Sequence, residues 1–167
     1  ELLTPYGQPS VSLSSDGRYV YVVLHQDRSF YKKNVSETSF EPILSIPIGP
    51  GEIVSILGGR PPIIEYSFVS KIESEMAPGP VIVARESWWG DYQKIYLSED
   101  GRQILGAEIF NGAGELKYKV VFAGFRKVEK FYAPSRIVIS NGEGAEALLN
   151  VSRFWAGADV SPSAFVL

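Results

Sequence analysis

The chain has 167 residues, 45% hydrophobic and 13% aromatic, with a net charge of −3; this fits one globular domain with a sizeable core and excludes a disordered segment. Acidic and basic residues are interspersed, so no basic stripe marks a nucleic-acid surface and no polybasic cluster marks anionic lipid headgroups. With no cysteine, disulfides, thiolate metal sites and a thiol nucleophile are excluded, and the longest apolar runs, such as YVYVVL at 19–24, are too short to span a bilayer as a helix.

Strand signals dominate from the start. SVSLSSDGRYVYVVL (10–24) alternates Val11 and Leu13 with serines, turns at Ser-Asp-Gly, and resumes as a strand from Arg18, which predicts a hairpin. HQDRSFYKK (25–33) predicts a turn and a short third strand. The oily stretch ILSIPIGPGEIVSILGGRPP (43–62) interrupts this pattern. Within it Ile53, Ile56 and Leu57 share a helical face, Gly58 and Gly59 offer a stop, and Pro61 and Pro62 forbid continuation, so 52–58 is predicted as a short amphipathic helix.

Strands then return over 63–73, 80–89, 92–98, 103–110, 115–125, 134–141 and 146–154, joined by short Gly-, Asn- and Asp-rich turns. Their close and even spacing predicts a mainly β protein built as an antiparallel meander, open or closed. In 115–122 one face carries Leu116, Tyr118, Val120 and Phe122 and the other Glu115, Lys117, Lys119 and Val121, the mark of a sheet with one wet and one greasy face. The greasy face needs a cover, and 43–57 is the oily helical candidate. The residues alone leave two uses open for that segment: a lid over something greasy, or an ordinary core-packing helix.

Catalytic patterns are weak throughout. The single histidine, His25, is read as a turn-side surface residue. No metal-ligand spacing is present, and 90–101 falls short of a calcium loop. Glu73 with Glu75 and Glu99 with Asp100 sit in polar turns and read as solvated charge. The serines of 10–15 lack a nucleophile-elbow context. ILGGRPP has its glycines after a helix and no phosphate-loop lysine. The chain is read as a non-enzyme with no catalytic residue, no metal and no cofactor. The aromatic residues Tyr19, Tyr21, Trp88, Trp89, Tyr92 and Tyr96 read mainly as packing, because only Lys94 is interleaved with them as a nucleic-acid site would require.

The order of features resembles a known family. TPYGQPSVSLSSDG (4–17) is similar to the Thr-Pro-aliphatic-Gly segment and following strand of LolB, the outer-membrane lipoprotein receptor. ILSIPIGPGEIVSILGGRPP resembles the family's Gly-aliphatic-Pro-aliphatic motif, a short helix ending in Leu-Gly, and the proline after it. VVFAGFRKVEKFYAPSRIVISNGEGAEALLNVSRF (120–154) resembles its C-terminal half, and the match runs over roughly 4–154, weakest in 63–112. The resemblance implies an unclosed antiparallel β-barrel with a short helical lid or plug at 43–59, LolA being the periplasmic counterpart. The chain would then be a single LolB-like lipid-binding domain over 1–167, lacking the family's N-terminal helix, first strands, membrane-contacting loop and anchoring cysteine. The lost strands would leave an exposed strand edge that invites dimerisation.

What the resemblance implies for function is a hydrophobic cavity that takes the acyl chains of lipoproteins, or a similar lipid. The place of action would be the periplasm or the periplasmic face of the bacterial outer membrane. A LolA-type carrier is the implied partner, and the membrane would be reached through an N-terminal anchor outside this chain. Candidate lining residues are Val11, Leu13, Val20, Val22, Leu24, Ile46, Ile53, Ile56, Leu57, Leu116, Tyr118, Val120 and Phe122. Two other uses of the fold stand beside this one: a structural or interaction module with a filled core, and a binder of a different hydrophobic ligand.

Overall fold

The computed structural model describes residues 2–3, 9–15, 18–25, 27–35, 39–129, 131–154 and 161. They fall into two compact units, Glu1–Ser39 with Gly49–Gly51 and Gly157–Leu167, and Phe40–Ile48 with Glu52–Ala156.

In the first unit β1 (Leu2–Leu3), β2 (Pro9–Ser15), β3 (Tyr19–Leu24) and β4 (Ser29–Asn34) form a four-stranded antiparallel sheet in chain order. The predicted hairpin is present, with Val11 opposite Leu24 and Leu13 opposite Val22. The predicted third strand begins at Ser29, because the turn takes Asp27 and Arg28, and Arg28 adopts a left-handed φ of 50°. Along β3, Val20 and Val22 are buried. Tyr19 and Tyr21 occupy the other face, where Lys32 lies 4.2 Å from the Tyr19 ring centroid, a cation–π contact.

The second unit begins with α1 (Glu41–Leu44), which has proline in its first turn and ends at Ser45, left-handed at φ 54°. The helix α2 spans Pro50–Leu57, beginning two residues earlier than the sequence predicts and ending one residue sooner. A proline suits the first turn of a helix, where its missing N–H costs nothing. At the other end Gly58 and Arg60 donate to the carbonyls of Val54 and Ser55, and Gly59 takes φ 75°, so the last carbonyls are satisfied before Pro61.

Seven antiparallel strands follow: β5 (Phe68–Ile72), β6 (Val81–Arg85), β7 (Tyr92–Leu97), β8 (Ile104–Phe110), β9 (Leu116–Ala123), β12 (Arg136–Ser140) and β13 (Glu146–Asn150). A small separate hairpin, β10 (Arg126–Val128) with β11 (Phe131–Ala133), sits between β9 and β12 in the chain. The large sheet runs β13-β12-β9-β8-β7-β6-β5 and is not closed, with β13 and β5 at its edges. The protein is therefore mainly β, with unclosed antiparallel sheets and short helices.

Cross-strand register divides the large sheet into the two faces that the alternation of β9 predicts. Tyr118, Val120 and Phe122 pair with Ile109, Ala107 and, across the other flank, Ile139 and Ile137. All of these are buried. Gln93, Ile95 and Ala84 extend the same buried face to β6 and β7. The opposite face carries a ladder of charge and rings. Arg85 lies 4.5 Å from the Tyr92 centroid, Tyr92 stacks on Phe110 at 4.7 Å, and Lys94 lies 5.0 Å from Phe110. Predicted strand 63–73 shrinks to Phe68–Ile72, and Trp88 and Trp89 lie in bends beyond β6 rather than on a strand.

Candidate functional site

The oily segment is held over the buried face of the seven-stranded sheet by polar side chains that reach out of the strands. Tyr118, only 2% exposed, donates its phenol proton to Glu52 Oε1 of α2 at 2.5 Å. Burial, then the neighbouring Glu52 carboxylate, raises the phenol's pKa above its ordinary value, so the hydroxyl remains a donor at neutral pH. Gln93, fully buried on β7, donates Nε2–H to the Pro62 carbonyl at 2.6 Å and accepts from the Ile64 amide at 3.4 Å. Asn141, just past β12, donates Nδ2–H to the Ser45 carbonyl at 2.7 Å. The bonds tie the segment to the sheet; those of Gln93 pair part-buried backbone, while the Ser45 carbonyl is exposed and Glu52 half-buried.

Between these pins the contact is greasy. Ile46, Ile48 and Ile56 are fully buried, while Ile53 is half-buried. On the outer side of α2, Val54 is exposed and Leu57 stands partly exposed at the rim. Only two of the three residues on the expected helical face therefore point inward. The exit of α2 is tight: a Cβ on Gly59 would stand 2.7 Å from the Pro134 ring.

Of the predicted lining residues, Ile46, Ile53, Ile56, Leu116, Tyr118, Val120 and Phe122 belong to the oily segment and the sheet face it covers, with Leu116 half-buried at the start of β9 and Leu57 at the rim. Val20 and Val22 are buried and Leu24 half-buried on β3 of the first unit. Val11 and Leu13 lie on the β2 backbone, and their side chains fall outside the described residues. Sequence reasoning missed Ile48, Gln93, Ile109, Ile137 and Ile139. Gln93 had a usable signal, since in YQKIYL it takes the same side as Ile95. A polar residue at an apolar position of the alternation marks a buried hydrogen bond.

The other candidate chemistry is structural. His25 Nε2 lies 2.7 Å from the Ser12 hydroxyl. Asp100 accepts from the Ser98 hydroxyl at 2.6 Å and from the Arg102 amide at 3.1 Å, which holds its exposed carboxyl below the usual range and shapes the turn to β8. On the wet face Tyr96 donates to Glu108 at 2.6 Å beside a pocket of about 240 Å³ under Met76–Pro78, smaller than the about 300–1,000 Å³ of typical small-molecule sites. Among the described residues no group of three or more acidic or histidine side chains is placed to hold a metal, and no helix is long and apolar enough to cross a membrane.

No family model and no curated protein sequence matches the chain. Among solved structures, a domain from Vibrio parahaemolyticus assigned to outer-membrane lipoprotein sorting is similar in fold. It is 16% identical with a TM-score of 0.55, over 84% of this chain and 61% of that one. A LolA superfamily protein from Nitrosomonas europaea is 12% identical with a TM-score of 0.45, over 87% of this chain and 64% of that one. The chain thus spans about three fifths of the length of the solved structures it matches. The fold is similar to that of the Vibrio lipoprotein-sorting domain.

Proposed function

We propose that this chain binds the acyl chains of lipoproteins beneath the segment 43–62 and delivers them at the periplasmic face of the bacterial outer membrane. The observation that carries the reading is the lid. An apolar segment crosses the apolar face of an unclosed sheet, held there by a few polar pins. Binding of this kind needs greasy area that opens, and no catalytic group. A LolA-type carrier would supply the acyl chain. The bare edge of β5, whose five residues are all exposed, is where a second strand or a second copy would pair.

The energetics suit a receptor that must let go. An acyl chain of about fourteen methylenes gains roughly 11 kcal/mol on burial at ~0.8 kcal/mol each. Lifting the lid exposes three buried isoleucines at ~1.5–3 kcal/mol each, breaks two neutral pins at ~1 kcal/mol each and breaks the Tyr118–Glu52 pin at ~1.4–2 kcal/mol, about 8–13 kcal/mol in all. Loading then exchanges one burial for another with little net change, and release needs no external energy source.

Native mass spectrometry of gently purified protein, with solvent extraction of any adduct, tests the reading. A stoichiometric species of acyl-chain mass is expected. A bare mass that stays bare after incubation with an acylated peptide would overturn it. The complete burial of Ile46, Ile48 and Ile56 favours a second reading, a structural module whose core is permanently filled. That module would show the lid amides exchanging only with global unfolding.

A further inference from the structure

At one end of the large sheet, β6 ends at Arg85 and β7 begins at Tyr92, and the six residues between them form a hairpin tip, Glu86-Ser87-Trp88-Trp89-Gly90-Asp91. Trp88 is 78% exposed and Trp89 89%. Phe68, at the start of β5, places its ring 5.6 Å from that of Trp88 and is itself half exposed, as is Tyr66 just before it. Four aromatic side chains thus meet water at one corner of the sheet, none of them part of the lid. A hairpin of this length does not need tryptophan, and exposing two indoles forgoes burial of ~1.5–3 kcal/mol apiece. A cluster of this kind on an otherwise well-formed sheet marks an interaction surface.

The tip is also held still. The Glu86 amide donates to the Asp91 carbonyl at 3.0 Å and closes the loop. A Cβ on Gly112, in the neighbouring β8–β9 turn, would collide with the Trp89 carbonyl oxygen, so the two turns meet closely through a glycine. Indoles presented from a fixed backbone lose little conformational freedom on contact.

We propose that this Trp88–Trp89 tip is a docking point for the interfacial layer of a lipid bilayer with zwitterionic headgroups. Tryptophan favours that layer because its ring is apolar while its N–H still needs a polar partner. Charge selects the headgroup. The tip carries two carboxylates, Glu86 and Asp91, and no base. The nearby cations are engaged, Lys117 with Asp91 at 3.0 Å and Arg85 over the Tyr92 ring. Glu86 and Asp91 balance Arg85 and Lys117, so the corner has no net positive charge to favour an anionic surface. The inference goes beyond acyl-chain binding and stands without it, since the tip would meet a bilayer whether or not the lid opens.

The chain's three tryptophans supply the probe. In a W155F background Trp88 and Trp89 are the remaining fluorophores, and mixing with phosphatidylcholine vesicles should shift their emission to the blue. Lipids brominated on the acyl chain should quench it. W88S/W89S, which keeps Trp155 alone, should partition about a hundredfold or more weakly, as expected from losing two buried aromatic side chains. Its thermal unfolding should be unchanged, because both side chains are exposed. Unchanged emission at millimolar lipid would overturn the proposal, as would equal partitioning of W88S/W89S. A salt-sensitive preference for phosphatidylglycerol vesicles would also overturn it. Vesicle partitioning and the mass of an acyl adduct are separate readouts, so failure of one leaves the other standing.

Discussion

Replacing Tyr118 by phenylalanine keeps the ring in its buried place on β9 and removes one oxygen, the donor to Glu52. A hydrogen bond to a charged acceptor contributes about 1.5–3 kcal/mol. Glu52 is only half-buried and can take water in place of the phenol, which puts the expected loss near the low end, about 1.4–2 kcal/mol. The loss should fall on the lid rather than on the sheet, because the strands keep all their ladder bonds. Opening of α2 should become roughly ten- to thirtyfold more frequent. Hydrogen exchange reads this directly at the Gly58 and Arg60 amides, whose bonds to Val54 and Ser55 exist only while the helix end is formed. Amides of β8 and β9 serve as the internal reference. If Y118F left lid exchange within twofold of the parent, the phenol would not be holding the helix, and the argument for a polar-pinned lid would fail.

Two further outcomes follow from the same geometry. Q93L fills the same volume but leaves the Pro62 carbonyl and the Ile64 amide without their partner. Chemical denaturation should show about 2–4 kcal/mol lost, since both groups are part-buried and each, once stranded, costs toward the lower part of ~1–3 kcal/mol. Alkali should also act through Tyr118. Its raised pKa means the folded phenol stays protonated while the unfolded chain ionises near pH 10. The contribution is therefore complete below about pH 10 and lost as pH rises beyond it, by at most ~1.4 kcal/mol per pH unit. Denaturation midpoints measured at pH 9 and 11 should fall less in Y118F than in the parent.

Much of this arrangement is legible in the sequence, and the exceptions have physical causes. The alternation of Leu116, Tyr118, Val120 and Phe122 gives the buried face of β9 correctly because period two is all a strand has to satisfy. The β10–β11 hairpin escapes, since FRKVEKFYA offers no Gly or Asn for its turn, which instead places Glu129 at a left-handed φ of 54°. The strand expected from Ile63 starts five residues late because Gln93 claims the backbone of Pro62 and Ile64. Leu57 follows Ile53 by four residues, yet it ends at the rim, because the helix stops there and its last turn is not covered. The pins are the least legible part. Tyr118 and Glu52 are 66 positions apart, and Asn141 and Ser45 are 96, so no local pattern couples them. Only the oddity of a glutamine among inward-facing apolar residues points to one of the three.

The wet face of the large sheet explains how a lid could lift without unfolding the strands beneath it. Tyr92 on Phe110, Arg85 over Tyr92, Lys94 over Phe110, Tyr96 to Glu108 and Lys117 to Asp91 all join residues of β6 to β9 and their turns. None of these contacts involves 43–62. Cross-strand pairs of this kind contribute roughly 0.2–1 kcal/mol each, and they do not depend on what covers the other face. On the covered face the sheet asks only for something apolar against Ile109, Val120, Ile137 and Ile139, a requirement that a methylene chain meets as well as isoleucine does. In the exchange proposed above, the polar pins would decide which occupant prevails. Weakening one, as Y118F does, should tilt the exchange toward the ligand by the same 1.4–2 kcal/mol or so that it removes from the closed lid.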